Sequence, residues 1–281
     1  MKKIITLILS LTLSLAAVFT FGACQPAEKF TGFDIELSRK VVSYLNKTYN
    51  VNLEIEFTEI DWNSKEALLE NGTIDLVWNG MTITPARSEE MCISVPYLYN
   101  NQVAVVRAVD AAKYTDVASM AQANVGAEAG SAGESVIRAQ NIGGEYVVAP
   151  SQLDALIALD NGTTDVAVID SVMAGYYTST GAYKDNLVIV ENLVLAQEEY
   201  GIAAKKGNEA FIGKINEALI ALVDTDYKAV AKDFGLTGSC SLTAETTNPF
   251  ANATDDSWNK VVSSGKIVIG YTVFAPIAYT A

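Results

Sequence analysis

Apolar residues follow two different rhythms along the chain. Leu37, Val41 and Leu45 recur at four-residue spacing, which puts them on one face of a helix, while Val51, Leu53, Ile55 and Phe57 alternate with polar residues as a strand does. A helix through Ala67, Leu68 and Leu69 ends at Asn71–Gly72, and Ile74 to Trp78 follows as a short, mostly buried strand. Helix and strand taking turns predict an α/β protein. The phrase Leu69-Glu70-Asn71-Gly72-Thr73-Ile74-Asp75-Leu76-Val77 returns as Leu159-Asp160-Asn161-Gly162-Thr163-Thr164-Asp165-Val166-Ala167-Val168. Each copy is a helix end, a glycine turn and a strand, either the common idiom of α/β chains or the mark of two similar lobes. Gln102 to Val106 and Tyr200 to Ala204 read as strands crossing between such lobes, which predicts residues 28–105 plus 202–281 in one lobe, 106–201 in the other, and a two-strand hinge.

Further on, Phe211, Ile215, Leu219 and Leu222 form one helical stripe, and Asp226 to Phe234 continue as a short second helix. Between 236 and 257 the composition turns to Ser, Thr, Ala and Asn with Pro249, which predicts a flexible linker. Lys266 to Tyr271 is then a strong strand very late in the chain.

The N-terminus has a character of its own. Met1-Lys2-Lys3 is basic, residues 4–21 are uncharged, and Gly22-Ala23-Cys24 supplies small residues before a cysteine, which together predict a secretory signal peptide over residues 1–23. The apolar run also reaches the lower limit for a permanent membrane anchor. Phe21-Gly22-Ala23-Cys24 resembles a bacterial lipobox, with Phe where Leu is usual, and implies that Cys24 is lipidated after cleavage.

Charge and composition narrow the chemistry. The 281 residues carry 19 Lys+Arg against 33 Asp+Glu, a formal charge of −14, which repels nucleic acid. Charged residues at 19% and a positive mean hydropathy argue against disorder. There is no His, which removes Ser-His-Asp and Cys-His nucleophiles, His-ligated zinc and His general bases. No metal or cofactor is expected. Cys92 and Cys240 could pair, although nothing in their spacing demands it, and two free thiols are the expectation.

At this point a resemblance to a known family emerges. Phe30-Thr31-Gly32-Phe33-Asp34-Ile35-Glu36-Leu37 and Trp78-Asn79-Gly80-Met81-Thr82-Ile83-Thr84-Pro85-Ala86-Arg87 resemble the first-helix signature and the strand–loop–helix that captures ligand in the solute-binding proteins of bacterial amino-acid importers (family 3). Val95-Pro96-Tyr97, Val125-Gly126 with Gly130-Ser131-Ala132-Gly133, and Tyr200-Gly201-Ile202-Ala203 continue the likeness. It implies a two-lobed, type II periplasmic-binding-protein-like α/β fold, each lobe a mixed sheet flanked by helices. One departure stands out: the segment Ser264 to Tyr279 resembles one that precedes the first-helix signature in that family, and here it comes last. The order therefore looks circularly permuted, the former termini being joined through 236–257. About twenty residues span roughly 60 Å when extended, so such a join is not length-limited.

The resemblance also implies a site. Arg87 would hold an amino acid's carboxylate as a bidentate fork, with N–H and hydroxyl groups of Gly80 and Thr82 beside it. Asp170 would take the ammonium, or alternatively cap the helix that begins at Ser171. Ser131 and Ala132 would add N–H donors from the second lobe, and Trp62 and Phe274 would sandwich the ligand side chain. Asn79, Trp78, Glu128 and Thr272 would tune specificity, with Glu128 able to pair with a basic side chain. The function implied is capture of a polar L-amino acid, cationic ones included, by hinge closure outside the cell or in the periplasm, and delivery by a lipid-anchored monomer to an ABC permease. A dehydratase-like enzyme using Glu128 as the acid and an amino-acid-sensing module are the rival readings.

Overall fold

A computed structural model describes residues 29–179 and 182–281, so the expected signal peptide and Cys24 lie outside the described residues. β1 (Phe30–Thr31) leads into α1 (Phe33–Tyr49), whose stripe of Leu37, Val41 and Leu45 is fully buried. Asp34 and Glu36 sit in its first turn, which the helix dipole favours, and Asn50 ends it in the left-handed conformation with φ 50°. β2 (Glu54–Glu59), α2 (Lys65–Glu70) and β3 (Leu76–Thr82) follow, then α3 (Pro85–Glu90), β4 (Met91–Ile93) and β5 (Leu98–Arg107). The next stretch holds β6 (Asn124–Glu128), α4 (Ala132–Gln140), β7 (Glu145–Ala149), α5 (Gln152–Asp160), β8 (Val166–Asp170) and α6 (Ser171–Ser179). β9 (Leu187–Lys205), α7 (Glu209–Ala221), α8 (Lys228–Asp233), α9 (Ser257–Ser264), β10 (Lys266–Tyr271) and β11 (Tyr279–Thr280) complete the chain.

One nine-stranded mixed sheet organises the molecule in the order β2-β10-β3-β9-β5-β8-β6-β7, with β4 also on β9. The elements between β5 and β9 in sequence occupy one side of that order, and those outside them the other. The long strands β5 and β9 lie side by side in the middle, antiparallel from Leu98 opposite Tyr200 to Arg107 opposite Leu187, and contain both expected crossing runs. Separate buried clusters form on the two sides, one around Phe33, Trp78, Tyr97, Phe211 and Ile269, others around Val125, Ile137 and Val168 and around Leu156 and Ile169. Each fully buried aliphatic side chain contributes about 1.5–3 kcal/mol to its cluster.

The late strand takes an interior place. β10 lies parallel to β2 on one side and to β3 on the other, with Ile267 and Ile269 buried. β1 and β11 pair as a short antiparallel ribbon, and Lys29 and Ala281 exchange both backbone hydrogen bonds at 3.0 Å. The 236–257 stretch is largely without helix or strand, but it is fastened along α7: Asn248 Nδ2 donates to the Gly213 carbonyl at 2.8 Å and the Ala210 N–H to Asp255 Oδ2 at 2.6 Å. Composition marked the absence of regular structure; it could not show that Asn and Asp side chains would tie the segment down. Cys92 and Cys240 are free thiols.

Candidate functional site

β3 supplies one wall of a central cavity. All seven of its residues are buried, and it bends at Gly80, whose φ of +62° suits a residue without Cβ. A Cβ there would come within 2.8 Å of the Phe274 ring. The Gly80 N–H donates to Asp34 Oδ2 at 2.9 Å and to the Tyr97 hydroxyl at 3.2 Å, so its contribution to the cavity is room rather than a free donor. Beyond the bend, Thr84 caps α3 by accepting from the Arg87 N–H at 3.2 Å, with Pro85 in the first turn. That start to the helix carries Arg87 back over the strand end. Its guanidinium donates from Nη1 to the Thr82 carbonyl at 2.8 Å and from Nη2 to the Gly130 carbonyl at 3.2 Å. Gly130 belongs to the opposite side of the sheet, so Arg87 bridges the two halves. With two of its five N–H groups engaged in these bonds, three remain for a ligand.

The opposite wall comes from β6, α4, α5 and β8. Asp170, the last residue of β8, is 5% exposed; Asn100 and Gln102 each donate to its Oδ1 at 2.6 Å, and Gln152 donates to its Oδ2. Burial, and then the neighbouring Glu198, push its carboxyl well above the usual range. Glu128, the last residue of β6, is 3% exposed, its Oε1 finds no hydrogen-bond partner, and burial pushes its carboxyl up to about 8 against the pull of Lys65. Lys65 is itself buried, 4.9 Å from the Trp62 ring centre, and donates to the Trp62 carbonyl at 3.1 Å. Burial, and then Arg87, lower the affinity of its amine for a proton.

Trp62, Asn79, Gly80, Thr82, Arg87, Glu128, Ala132, Gln152, Asp170, Thr272 and Phe274 line this one cavity. Residues separated by up to some two hundred positions thus converge, and ten of the expected site residues are among them. Asn79 pairs with Thr272 across β3 and the end of β10, its amide in reach of the Thr272 N–H and C=O at 3.2 Å each. Phe274 meets Tyr200 edge-on at 6.5 Å between ring centres. Ser131 lies just outside: its Oγ caps α4 on the Glu134 N–H at 3.1 Å and its own N–H donates to the Glu128 carbonyl at 3.2 Å. Trp78 is buried behind the wall in the core.

Gln152 and Glu198 were not among the sequence expectations. Gln152 is the first residue of α5 after the Ser151 cap, a position where sequence shows only a helix start. Glu198 accepts from Thr82 Oγ1 at 3.1 Å and from Gln102 at 2.8 Å. It sits in the strand phrase Gln197-Glu198-Glu199, where alternation alone does not say which acid faces inward.

A half-buried guanidinium and a buried carboxyl thus line one cavity from opposite sides of a sheet joined by two long strands. The sequence profile of the bacterial extracellular solute-binding proteins, family 3, matches residues 16–237, and the chain belongs to that family. It is 31% identical over 192 residues to a probable histidine-binding protein of Neisseria gonorrhoeae, covering 67% of this chain and 68% of that one. To the ABC transporter arginine-binding protein 1 of Escherichia coli K12 it is 27% identical over 243 residues, 78% of this chain and 95% of that protein. An ABC uptake transporter substrate-binding protein of Streptococcus pneumoniae, solved with bound histidine, superposes with TM-score 0.65 at 31% identity over 73% of this chain and 83% of that one. The mixed sheet flanked by helices is the type II periplasmic binding protein fold. No helix among the described residues is long and apolar enough to cross a membrane.

Proposed function

We propose that this protein captures a free L-amino acid with a cationic side chain and delivers it to an ABC permease. The observation that carries the reading is the placement of Arg87, Asp170 and Glu128 around one cavity. A ligand carboxylate takes the remaining donors of Arg87, its ammonium takes Asp170, and a third group, the Glu128 carboxyl with its unpartnered Oε1, is left for the side chain. A neutral side chain would leave Glu128 Oε1 buried without a partner, which disfavours such ligands. Trp62 and Phe274 offer rings to the aliphatic part and Ala132 the first N–H of α4, while Thr82, Asn79, Thr272 and Gln152 fix the walls. Gly80 leaves room for them.

Residues 28–105 with 202–281 act as one lobe and 106–201 as the other, and within the first lobe 236–257 runs along α7 and joins the former termini. Ligand contacts to both lobes favour closure about β5 and β9, as the Arg87–Gly130 bond suggests. The chain works as a monomer exported by its signal peptide and held on the outer face of the cytoplasmic membrane by a lipid on Cys24. Binding proteins of transporters, rather than enzymes, are the relatives that guide this choice. We also read the element order as circularly permuted, supported by the interior position of β10, the Lys29–Ala281 pairing and a family match that stops at 237.

Calorimetric titration against the twenty amino acids plus ornithine, citrulline and cystine tests the ligand. Micromolar or tighter binding of arginine, lysine, ornithine or histidine supports the reading, and binding of neutral ligands alone contradicts it. Cys24→Ser should release the protein from membranes. Joining Ala281 to Lys29 and opening the chain at exposed Glu245 should give a folded, binding protein if the order is permuted.

A further inference from the structure

Glu198 and Asp170 form a pair of carboxylates held by the same donors. The Asn100 amide donates to Asp170 Oδ1 at 2.6 Å and also to Glu198 Oε1, and the Gln102 amide donates to the same two oxygens at 2.6 and 2.8 Å. The second oxygen of Asp170 accepts from Gln152, and that of Glu198 from Thr82 Oγ1 at 3.1 Å. Every one of these donors is neutral. Arg87, on α3, is the cation that faces the pair, but its guanidinium donates to the Thr82 and Gly130 carbonyls, and no ion pair among the described residues includes either acid. The other groups turned toward the pair are the buried Tyr200 on β9, Gln152 and, past it, Glu128 from β6, and Ser171, which donates to Asn100 Oδ1 at 2.9 Å. Two like charges gathered on shared neutral donors, one of them 5% exposed, cannot both stay ionised.

We propose that Asp170 carries a proton until the ligand's ammonium docks, that docking expels this proton to solvent, and that Glu198 is the positioning residue that keeps it there. The inference rests on the amino-acid reading above. Its balance is simple: the Asp170 O–H bond breaks, one H⁺ leaves, and the ligand arrives and stays as an ammonium that now faces a carboxylate. Burial beside Glu198 raises the Asp170 carboxyl in the direction this requires. Capture is then coupled to proton release, and affinity rises by about tenfold per pH unit wherever a full proton is lost.

The test is calorimetric titration of L-arginine into the full protein at pH 6 in buffers of different ionisation enthalpy, which counts protons released per ligand. Because Glu128 also lines the cavity and can release a proton to a cationic side chain, the count is made in wild type and in Glu128→Gln. About one proton should still be released by Glu128→Gln. Adding Glu198→Gln to either background should lower the count and shift the rise of affinity to lower pH, because the neighbouring charge that helps burial keep Asp170 protonated is then gone. A structural role for Glu198 would lower affinity without changing the count. Binding by Glu128→Gln with no proton released overturns the inference alone, whether or not the Glu198 variant folds, as does an unchanged count in a folded Glu198→Gln. Failure of the folded wild type to bind any amino acid overturns the transport reading and this inference with it.

Discussion

The two copies of the helix–glycine–strand phrase are built alike at their start and differ at their end. In the first, Asn71 Oδ1 accepts from the Thr73 N–H at 2.8 Å and from Thr73 Oγ1 at 2.6 Å; in the second, Asn161 Oδ1 accepts from the Thr163 N–H at 3.0 Å and from Thr163 Oγ1 at 2.6 Å. Gly72 and Gly162 both take positive φ, 76° and 82°, and each turn feeds a fully buried strand. At the far ends the units part company. β3 bends at Gly80 and delivers a cation on α3, whereas β8 stops at Asp170 and delivers a carboxyl. Each strand end also involves a buried acid: Asp34 receives the Gly80 N–H, and Asp170 is itself the strand's last residue. The same local rule positions two strands, and the residues at or just beyond their ends give the cleft its guanidinium and its carboxyl.

The division of labour can be broken most severely at the cation. Arg87→Ala should weaken amino-acid binding by about 3 kcal/mol or more, roughly a hundredfold, in calorimetric titration, since the ligand's carboxylate is then held in the cavity without its cation. Weakening of only a fewfold would mean that the β3 unit does not carry the carboxylate site. Gly80→Ala comes next. A Cβ 2.8 Å from the Phe274 ring at φ +62° should cost about 1–3 kcal/mol of stability, read by denaturant unfolding, and should displace Phe274 from the cavity.

The buried acid under β3 adds a pH signature. Burial raises Asp34 to about 7 against an ordinary 3.8, with Tyr97 and Gly80 pulling the other way. The folded state therefore holds a proton that the unfolded state has lost between those values, so this contribution is complete below pH 3.8 and disappears as pH rises to about 7. Asp34→Asn should remove a decline of up to about 1.4 kcal/mol per pH unit from the stability profile over that window. The smallest effect sharpens the likeness itself. Gly72→Ala and Gly162→Ala both meet open space, so each should cost about 1 kcal/mol from positive φ alone, and the two should agree within about 0.5 kcal/mol.

Much of this was legible in the sequence where a signal is local. The period-four stripe pointed to α1 and the apolar runs to β3 and β8, while the helix that carries Arg87 was expected only from the family resemblance. The residues that line the cavity were suggested by motif resemblance rather than by periodicity, since Trp62, Arg87, Asp170 and Phe274 come from four separate segments that only the sheet order brings together. Contacts that depend on which way a side chain turns were not. The Gly80 N–H goes to Asp34, Ser131 caps its own helix, and Glu198 rather than Glu199 turns toward Asp170; each outcome is decided by three-dimensional neighbours that spacing does not encode. Likewise, a Ser, Thr and Asn-rich stretch reads as linker until partners such as Gly213 and Ala210 are in place.

The most direct test of the cleft's two-charge design pairs a ligand change with a protein change. The tightest-binding amino acid and its carboxamide, which lacks the anionic carboxylate, are titrated into wild type and into Arg87→Ala. If Arg87 holds the carboxylate, the carboxamide binds wild type about a hundredfold more weakly, and Arg87→Ala no longer distinguishes the two ligands, a coupling of about 2–3 kcal/mol. If the two losses simply add, Arg87 and the carboxylate do not meet, and the account of the site is wrong.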